Sequence, residues 1–567
     1  MSIDPSMSRF SKYSTLAGKA VRYLKESGPG PLLATARRTA RERRAYQEWV
    51  RKYGTVTDGQ RREYLSRIDG FKDKPLISVV LPVYNVDENL LRKCIDSVTG
   101  QIYPGWELCI ADDASTKPHI RRVLEEYKEA DGRIKVVYRE VNGHISAASN
   151  SALELAEGAF TVLLDHDDEL SEDALFWVAN ELNEHPETMM IYSDEDLIDE
   201  AGRRSEPKFK PDFSRDLFYS INLVTHLSAY RTALLQKIGG FRVGFEGSQD
   251  YDLALRVIEQ ITEGRIRHIP RILYHWRITP GSLASDLEAK PYAHESARRA
   301  IGDHLERMGK KAEVVETGYL HRVRYTLPDD PPKVAVVVHT STANDLIEKL
   351  RRSTEYLNFE AAAAGDDGEP TAASLNRAVS AAAGEIICFV NGSLEPLGSD
   401  WLSELVSFAM QDGIGVVGAK LLYPNNTVAG SGLVLGAGGI TETAHKGFLR
   451  TVPGNISRNR LICNYSAVSV ECLMIRRDVF DEAGGFDEEN LPRSLFDADL
   501  CLRVRQKGRR VVVTPFAELR WTQWKDVLVP AAEEIRFFEN RWPGIIENDP
   551  FYNPNLSKKR ADFSIDI

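Results

Sequence analysis

Two hydrophobic rhythms run through this chain. Short apolar, β-branched runs end abruptly at Pro or Asp, and stretches with apolar residues three or four positions apart follow them. Ile77-Ser78-Val79-Val80-Leu81-Pro82 is a run of the first kind and predicts a buried strand. After it, Leu90, Leu91, Cys94, Ile95 and Val98 keep a helical period, and Asp87 stands where a helix cap belongs. Trp106–Ala111 predicts a second strand, halted by Asp112-Asp113, and Arg133–Tyr138 a third. Residues 147–156 read as a helix. Phe160–Leu164 reads as a strand that ends in Asp165-His166-Asp167-Asp168. Ser171 is expected to cap the next helix, with Glu172 and Asp173 in its first turn, where negative charge is favoured. Repeated β-α units at this spacing predict a parallel, doubly wound sheet over residues 76–325.

The pattern then recurs over 333–525. Ser146-Ala147-Ala148-Ser149-Asn150-Ser151-Ala152 is echoed by Ala372-Ala373-Ser374-Leu375-Asn376-Arg377-Ala378. Ile238-Gly239-Gly240-Phe241 is echoed by Ala483-Gly484-Gly485-Phe486, and Asp250–Arg256 by Asp497–Arg503. Matching blocks in the same order indicate an internal duplication. Pro328–Lys333 reads as the linker, and residues 526–567 as a tail of one Glu- and Arg-rich helix followed by Pro-Asn coil.

Charge separates the start of the chain from the rest. Residues 1–75 hold 17 Lys and Arg against eight Asp and Glu, within a chain of net charge −11. This leader reads as two basic helical runs. The first carries an apolar stripe of Phe10, Tyr13, Leu16, Ala17, Ala20, Val21 and Leu24; the second carries Arg37, Arg38, Arg41, Arg43, Arg44 and Trp49. Two placements fit: an interfacial helix on the inner face of a cell membrane, or a helix packed on its own catalytic domain. An acidic whole gives no electrostatic reason to expect nucleic-acid binding. Six scattered cysteines without a CxxC spacing read as reduced core thiols of a cytoplasmic protein. No run is long enough to span a bilayer.

The acidic clusters carry the chemistry. Asp112/Asp113, Asp165/Asp167/Asp168 and Asp250/Asp252 fall at or near strand ends, where an open parallel sheet binds ligands. Carboxylates crowded together favour a cation, and Mn²⁺ or Mg²⁺ bridging a diphosphate suits oxygen ligands.

These clusters fall within motifs that resemble inverting glycosyltransferases of family 2, which have the GT-A fold. Ser78–Asn85 resembles the family's opening strand, Asp112-Asp113-Ala114-Ser115 its second motif, and Asn142–Asn150 its Asn-rich segment. Asp165-His166-Asp167-Asp168 is similar to its DxD motif, Gln249-Asp250-Tyr251-Asp252 to its acceptor-side acidic motif, and Tyr274-His275-Trp276-Arg277 to the segment closing the site. The resemblance implies that Pro82, Tyr84, Asn85, Asn142 and Asp112 or Asp113 hold the nucleotide. It implies that Asp165 contacts ribose or metal, and that Asp167 ligates Mn²⁺ or Mg²⁺. His275 is either a further ligand or a packed histidine beside Trp276; Arg139 and Arg277 are either phosphate contacts or structural groups. Asp250 would be the general base, with Asp252 the runner-up or a helix cap.

The fold class expected is therefore α/β, with two GT-A-like domains in tandem (76–325 catalytic, 333–525 degenerate) behind a helical N-terminal extension. In the second copy Asn391-Gly392-Ser393-Leu394 replaces the acidic turn, Arg520 replaces His275, and one helix-strand unit is missing, while Asp366-Asp367 and Asp497 remain. That half either binds acceptor or stabilises its neighbour, or transfers without a metal, using Asp497 as base and Arg520 or His445 in place of the cation. Thr443–Phe448 resembles rhamnosyltransferase-like members, and Asp549–Ser557 the tails of bacterial tandem members that build O-antigen and other surface polysaccharide. The implied activity moves a sugar, with rhamnose from a dTDP donor as the guess, from a nucleotide-sugar to a lipid-linked or oligosaccharide acceptor. Two alternatives stay open: both domains active, or a glycan-binding scaffold. A nucleotidyltransferase is disfavoured, because Pro82-Val83-Tyr84-Asn85 carries no glycine-rich phosphate loop.

Overall fold

The computed structural model describes residues 28–279, 291–317, 320–339, 343–364, 370–524 and 529–567. The predicted helix at 10–24 and Asp366-Asp367 lie outside the described residues. The chain divides into two compact units, one of residues 45–324 and one formed by the remaining stretches on either side, 28–44 and 325–566 among the described residues.

In the first unit the strands are β1 (Ile77–Val83), β2 (Trp106–Asp112), β3 (Ile134–Tyr138), β4 (Phe160–Leu163), β5 (Glu169–Leu170), β6 (Met190–Ile198), β7 (Arg204–Lys208), β8 (Ser228–Arg231) and β9 (Ile266–Arg277). They form one sheet in the order β3-β2-β1-β4-β8-β6-β9-β5, with β7 beside β6. Every residue of β1 and β2 is buried, as their continuous apolar runs require. Helix Glu88–Thr99 buries Leu91, Cys94, Ile95 and Val98 and is capped by Asp87, whose side chain accepts from Asn89 N at 2.9 Å.

The expected all-parallel sheet is mixed instead. β3, β2, β1 and β4 are parallel, but β8 runs antiparallel to both β4 and β6, and β5 antiparallel to β9. Hydrophobic periodicity reports burial and not strand direction, so the sequence pattern missed the reversal. Ser171 is no cap either. Its hydroxyl donates to Asp173 Oδ1, and the helix starts three residues later, at Ala174.

The basic leader is shared between the units. In helix Pro29–Tyr53 the buried residues are Ala45, Tyr46 and Trp49. Trp49 stacks on Tyr46 and meets Phe209 edge-on, so the aromatic residues of this run are spent on packing within the first unit. Helix Asp58–Asp69 opens with a Thr57–Gln60 capping box and stacks Tyr64 on Phe176.

A two-stranded sheet, β10 (Ala312–Thr317) and β11 (Leu320–Tyr325), closes the first unit. The second contains β12 (Val334–His339), β13 (Phe359–Ala363), β14 (Ile386–Asn391), β15 (Leu394–Pro396), β16 (Ile414–Leu422), β17 (Val428–Gly430), β18 (Leu433–Leu435), β19 (Thr441–Thr443), β20 (Cys463–Asn464), β21 (Cys472–Arg476) and β22 (Arg510–Trp521). Its main sheet runs β13-β12-β14-β21-β16-β22-β15. That is the order of the first sheet, strand for strand, without an equivalent of β3.

Side chains repeat too. Asn150 donates to Phe241 O at 2.9 Å and accepts from Phe241 N at 2.8 Å; Asn376 does the same with Phe486 at 2.9 and 3.0 Å. The glycine before each phenylalanine has positive φ, and a Cβ on Gly240 would lie 2.4 Å from Asn150 Oδ1. Residues 529–566 are no free tail. Helix Ala532–Arg541 contributes Glu534, which accepts from Arg493 N and Ser494 N, and buried Asp549 accepts from Ser466 Oγ and Leu435 N. All six cysteines are free and buried. Among the described residues no helix is long and apolar enough to cross a membrane.

Candidate active site

The acidic motifs meet at the carboxyl ends of adjacent strands. β1 lies between β2 and β4, with Val83 opposite Asp112 and Val80 opposite Leu163, so the turns after all three strands open on one edge of the sheet. Asn85, at a positive φ, stitches two of them together: its side chain accepts from Thr116 N and Lys117 N, and its own N–H donates to Ser115 Oγ. Buried Asp112 accepts from Ser115 N at 3.2 Å. Tyr84 is 46% exposed, and Pro82 accepts at its carbonyl from His166 Nδ1.

Asp113 is buried and anchors the next wall. It accepts from Arg139 Nε at 2.8 Å and Gly143 N at 2.9 Å, while Asn142 Nδ2 donates to its carbonyl. Arg139 also reaches Ala147 O and Ser151 Oγ. This guanidinium ties the loop after β3 to the helix that follows it. Arg277 is likewise committed: fully buried, it bonds Asp167 O, Asp199 O and the Glu169 carboxylate.

On the DxD turn the three aspartates differ. Asp165 is 46% exposed at its side chain, and Asp167 is half-buried. Asp168 is buried and accepts from Tyr274 Oη and Arg277 N, both at 2.7 Å. Burial, and then the charges of Asp167 and Asp165, push its carboxyl well above the usual range. A turn so crowded with negative charge is relieved by a cation. Ligand atoms of Asp165, Asp168 and His226 lie within 4.8 Å of one another. Two carboxylates and an imidazole are a donor set that suits Mn²⁺.

His226 escaped the sequence analysis. It precedes β8, stacks on Tyr274 at 4.3 Å, and lies 4.0 Å from Asp165 and 3.3 Å from Glu195. Buried Glu195 is held below the usual range, against its burial, by Lys208, Lys210 and His226. No spacing marks His226 as functional, because its partners come from β4, β6 and β9. His275 sits on β9 opposite both Asp196 and Glu169, and its Nδ1 lies 2.6 Å from Asp196 Oδ1.

The structure separates Asp250 from Asp252. Asp252 is fully buried and held by Arg242 and Arg256; the same Asp–Arg pair recurs as Asp499 and Arg503. It is structural. Asp250, in the first turn of helix Gln249–Ile258, accepts a single side-chain bond from Asn222 Nδ2 at 2.8 Å. Burial, with a contribution from Asp165, lifts its carboxyl to about 6, while His226 restrains the rise. Such a carboxylate is ionised at neutral pH and basic enough to take a proton.

Residues 78–239 match the family model described as Glycosyl transferase family 2. The chain carries a family 2 glycosyltransferase domain. Asp250 and His275 lie beyond that match in sequence, but helix Gln249–Ile258 and β9 belong to the same compact unit. Among curated relatives, "Uncharacterized protein y4gI" of Sinorhizobium fredii is 40% identical over 561 residues, covering 91% of this chain and 62% of the relative. "O-antigen biosynthesis protein RfbC" of Myxococcus xanthus is 35% identical over 558 residues, covering 91% and 43%. The chain thus spans less than two thirds of either relative. The solved structure of S. aureus TarS 1–349 with UDP-GlcNAc shares 23% identity, with 40% of this chain and 66% of that chain covered and a TM-score of 0.34.

At the corresponding turn of the second unit, Asn391 and Ser393 stand where the first unit has Asp165 and Asp167. Asn391 bonds Glu471 and Ser393 N, and Arg520 pairs with Glu395 at 2.7 Å. Asp497 accepts from Val470 N and Ala498 N, and burial raises its carboxyl. His445 is fully buried between Phe563 and Phe448, neither ring nitrogen has a hydrogen-bond partner among the described residues, and burial followed by Arg458 keeps it neutral.

Proposed function

We propose that the family 2 domain transfers a sugar from a nucleotide-sugar donor to a hydroxyl of a growing cell-surface glycan, oligosaccharide or lipid-linked, with inversion at the anomeric carbon. The observation that carries this is the pairing of a crowded carboxylate turn with a half-buried carboxylate, Asp250, whose acid constant of about 6 suits a general base. Asp250 accepts the proton of the attacking hydroxyl as its oxygen bonds to the anomeric carbon and the bond to the diphosphate breaks. Asn222 orients the carboxylate. Asn85, Asp112 and Asp113 shape the nucleotide side, with Pro82, Tyr84 and Asn142 lining it.

Asp165, Asp168 and His226, whose ligand atoms lie within 4.8 Å of one another, would hold Mn²⁺ or Mg²⁺, with Asp167 and His275 as the further ligands that the resemblance implies. The bound cation supplies charge stabilisation to the departing diphosphate. The second unit, with Asn391 and Ser393 in place of the acidic turn and Arg520 paired to Glu395, is proposed to hold no metal-bound donor.

The test is a screen of nucleotide-sugars, dTDP-rhamnose and UDP-sugars included, for hydrolysis or transfer with Mn²⁺. Asp250→Asn and Asp167→Ala are each expected to abolish turnover; undiminished turnover in both variants would sink the assignment.

A further inference from the structure

The contacts behind His275 begin on the basic leader. Tyr46 is 2% exposed, and its hydroxyl donates to Asp196 Oδ2. Asp196 is wholly buried on β6; it also accepts from Arg204 Nε at 2.5 Å, and its other oxygen meets His275 Nδ1 at 2.6 Å. The leader helix is tied to this spot twice more: Gln47 Nε2 donates to Arg204 O at 2.8 Å, and Arg204 Nη1 donates to Gly54 O at 2.9 Å.

The chemistry of this chain is directional. Tyr46 Oη and Arg204 Nε both donate to Asp196 Oδ2, and His275 Nδ1 is engaged by Oδ1, so Nε2 is the ring nitrogen that Asp196 leaves open. A carboxylate on the far nitrogen is how proteins set the tautomer and ring orientation of a metal-ligating histidine. Here the carboxylate has a fixed orientation of its own, because a tyrosine and an arginine occupy its second oxygen.

We propose that Tyr46 is a positioning residue: through Asp196 it fixes the ring of His275 with Nε2 as the atom left to bind the catalytic cation. The leader thereby supplies part of the site rather than only a surface. This rests on the reading of His275 as a ligand, so the experiment must separate the two.

The full-length chain is titrated with Mn²⁺ and the free ion is followed by electron paramagnetic resonance. Wild type, His275→Ala, Asp196→Asn and Tyr46→Phe are compared, with metal-free melting of each. Removing the direct partner of a metal-bound histidine costs roughly 10- to 100-fold in affinity, which is the expectation for Asp196→Asn; Tyr46→Phe, one link further out, should lose about 3- to 10-fold. Tyr46→Phe keeps the buried ring but removes a donor to a buried carboxylate, so its metal-free melting should fall modestly, and Mn²⁺ affinity is compared at a temperature well below every variant's melting point. Weakened Mn²⁺ binding by the folded Tyr46→Phe protein supports the proposal. Wild-type affinity in Tyr46→Phe, alongside a loss in His275→Ala, overturns the proposal alone. Wild-type affinity in His275→Ala overturns the ligand reading beneath it.

Discussion

Asn222 Nδ2 donates a 2.8 Å hydrogen bond to Asp250 Oδ2, on a half-buried carboxylate. The bond favours the charged form against burial, which lifts the carboxyl to about 6. Transfer should therefore fall off below about pH 6, roughly tenfold per unit in kcat/KM. Asn222→Ala removes a donor to the charged form and should move the midpoint upward. A pH profile of kcat/KM for both proteins checks this, and a midpoint that stays put or falls would count against Asp250 as the base.

The same group bears on stability with a definite sign. Its folded value, about 6, exceeds the ordinary 3.8. Its contribution is therefore fully present below about pH 4 and is lost as pH rises through 6. A gap of this size corresponds to about 3 kcal/mol at most. Asp250→Asn removes the half-buried charge and should raise the melting temperature at pH 8 while lowering kcat by about 10²- to 10⁴-fold. Calorimetry at pH 8 and at pH 4 checks the sign, since the gain should vanish at the lower pH.

Mn²⁺ should stabilise the protein through the DxD turn. A ligand at 100 times its Kd adds about 2.7 kcal/mol to the native state. Asp167→Ala should lose most of the Mn²⁺-induced rise in melting temperature. Asn391→Ala, at the corresponding turn of the second unit, should keep it. Equal loss in both variants would place the ion elsewhere.

Asp497 offers a test of the second unit. Its oxygens accept from Val470 N and Ala498 N, so it ties the first turn of helix Phe496–Gln506 to the loop before β21. Asp497→Asn, which keeps one acceptor oxygen, should cost about 1–3 kcal/mol of stability and leave transfer intact. Loss of transfer with an unchanged fold would mean that both units are active.

Much of this protein was determined by local sequence. The apolar runs of β1, β2, β4 and β12, the cap at Asp87 and the Asp-rich turns were all legible, because each depends on residues within a few positions. So was the duplication, which the repeated Asn–Gly-Gly-Phe clasps explain: Asn150 and Asn376 recur because each completes the same two backbone bonds. Only the tertiary structure decided which charged groups remain available for chemistry. Arg139 and Arg277 carry the right charge for a phosphate, yet protein acceptors surround both. Asp250 and Asp252 are two residues apart, but arginines neutralise one and burial strains the other. His226 and Tyr46 join the site from distant segments that no spacing connects. Periodicity encodes which side of an element is buried. Strand direction, and the partner that meets a buried charge, exist only once the chain has closed on itself.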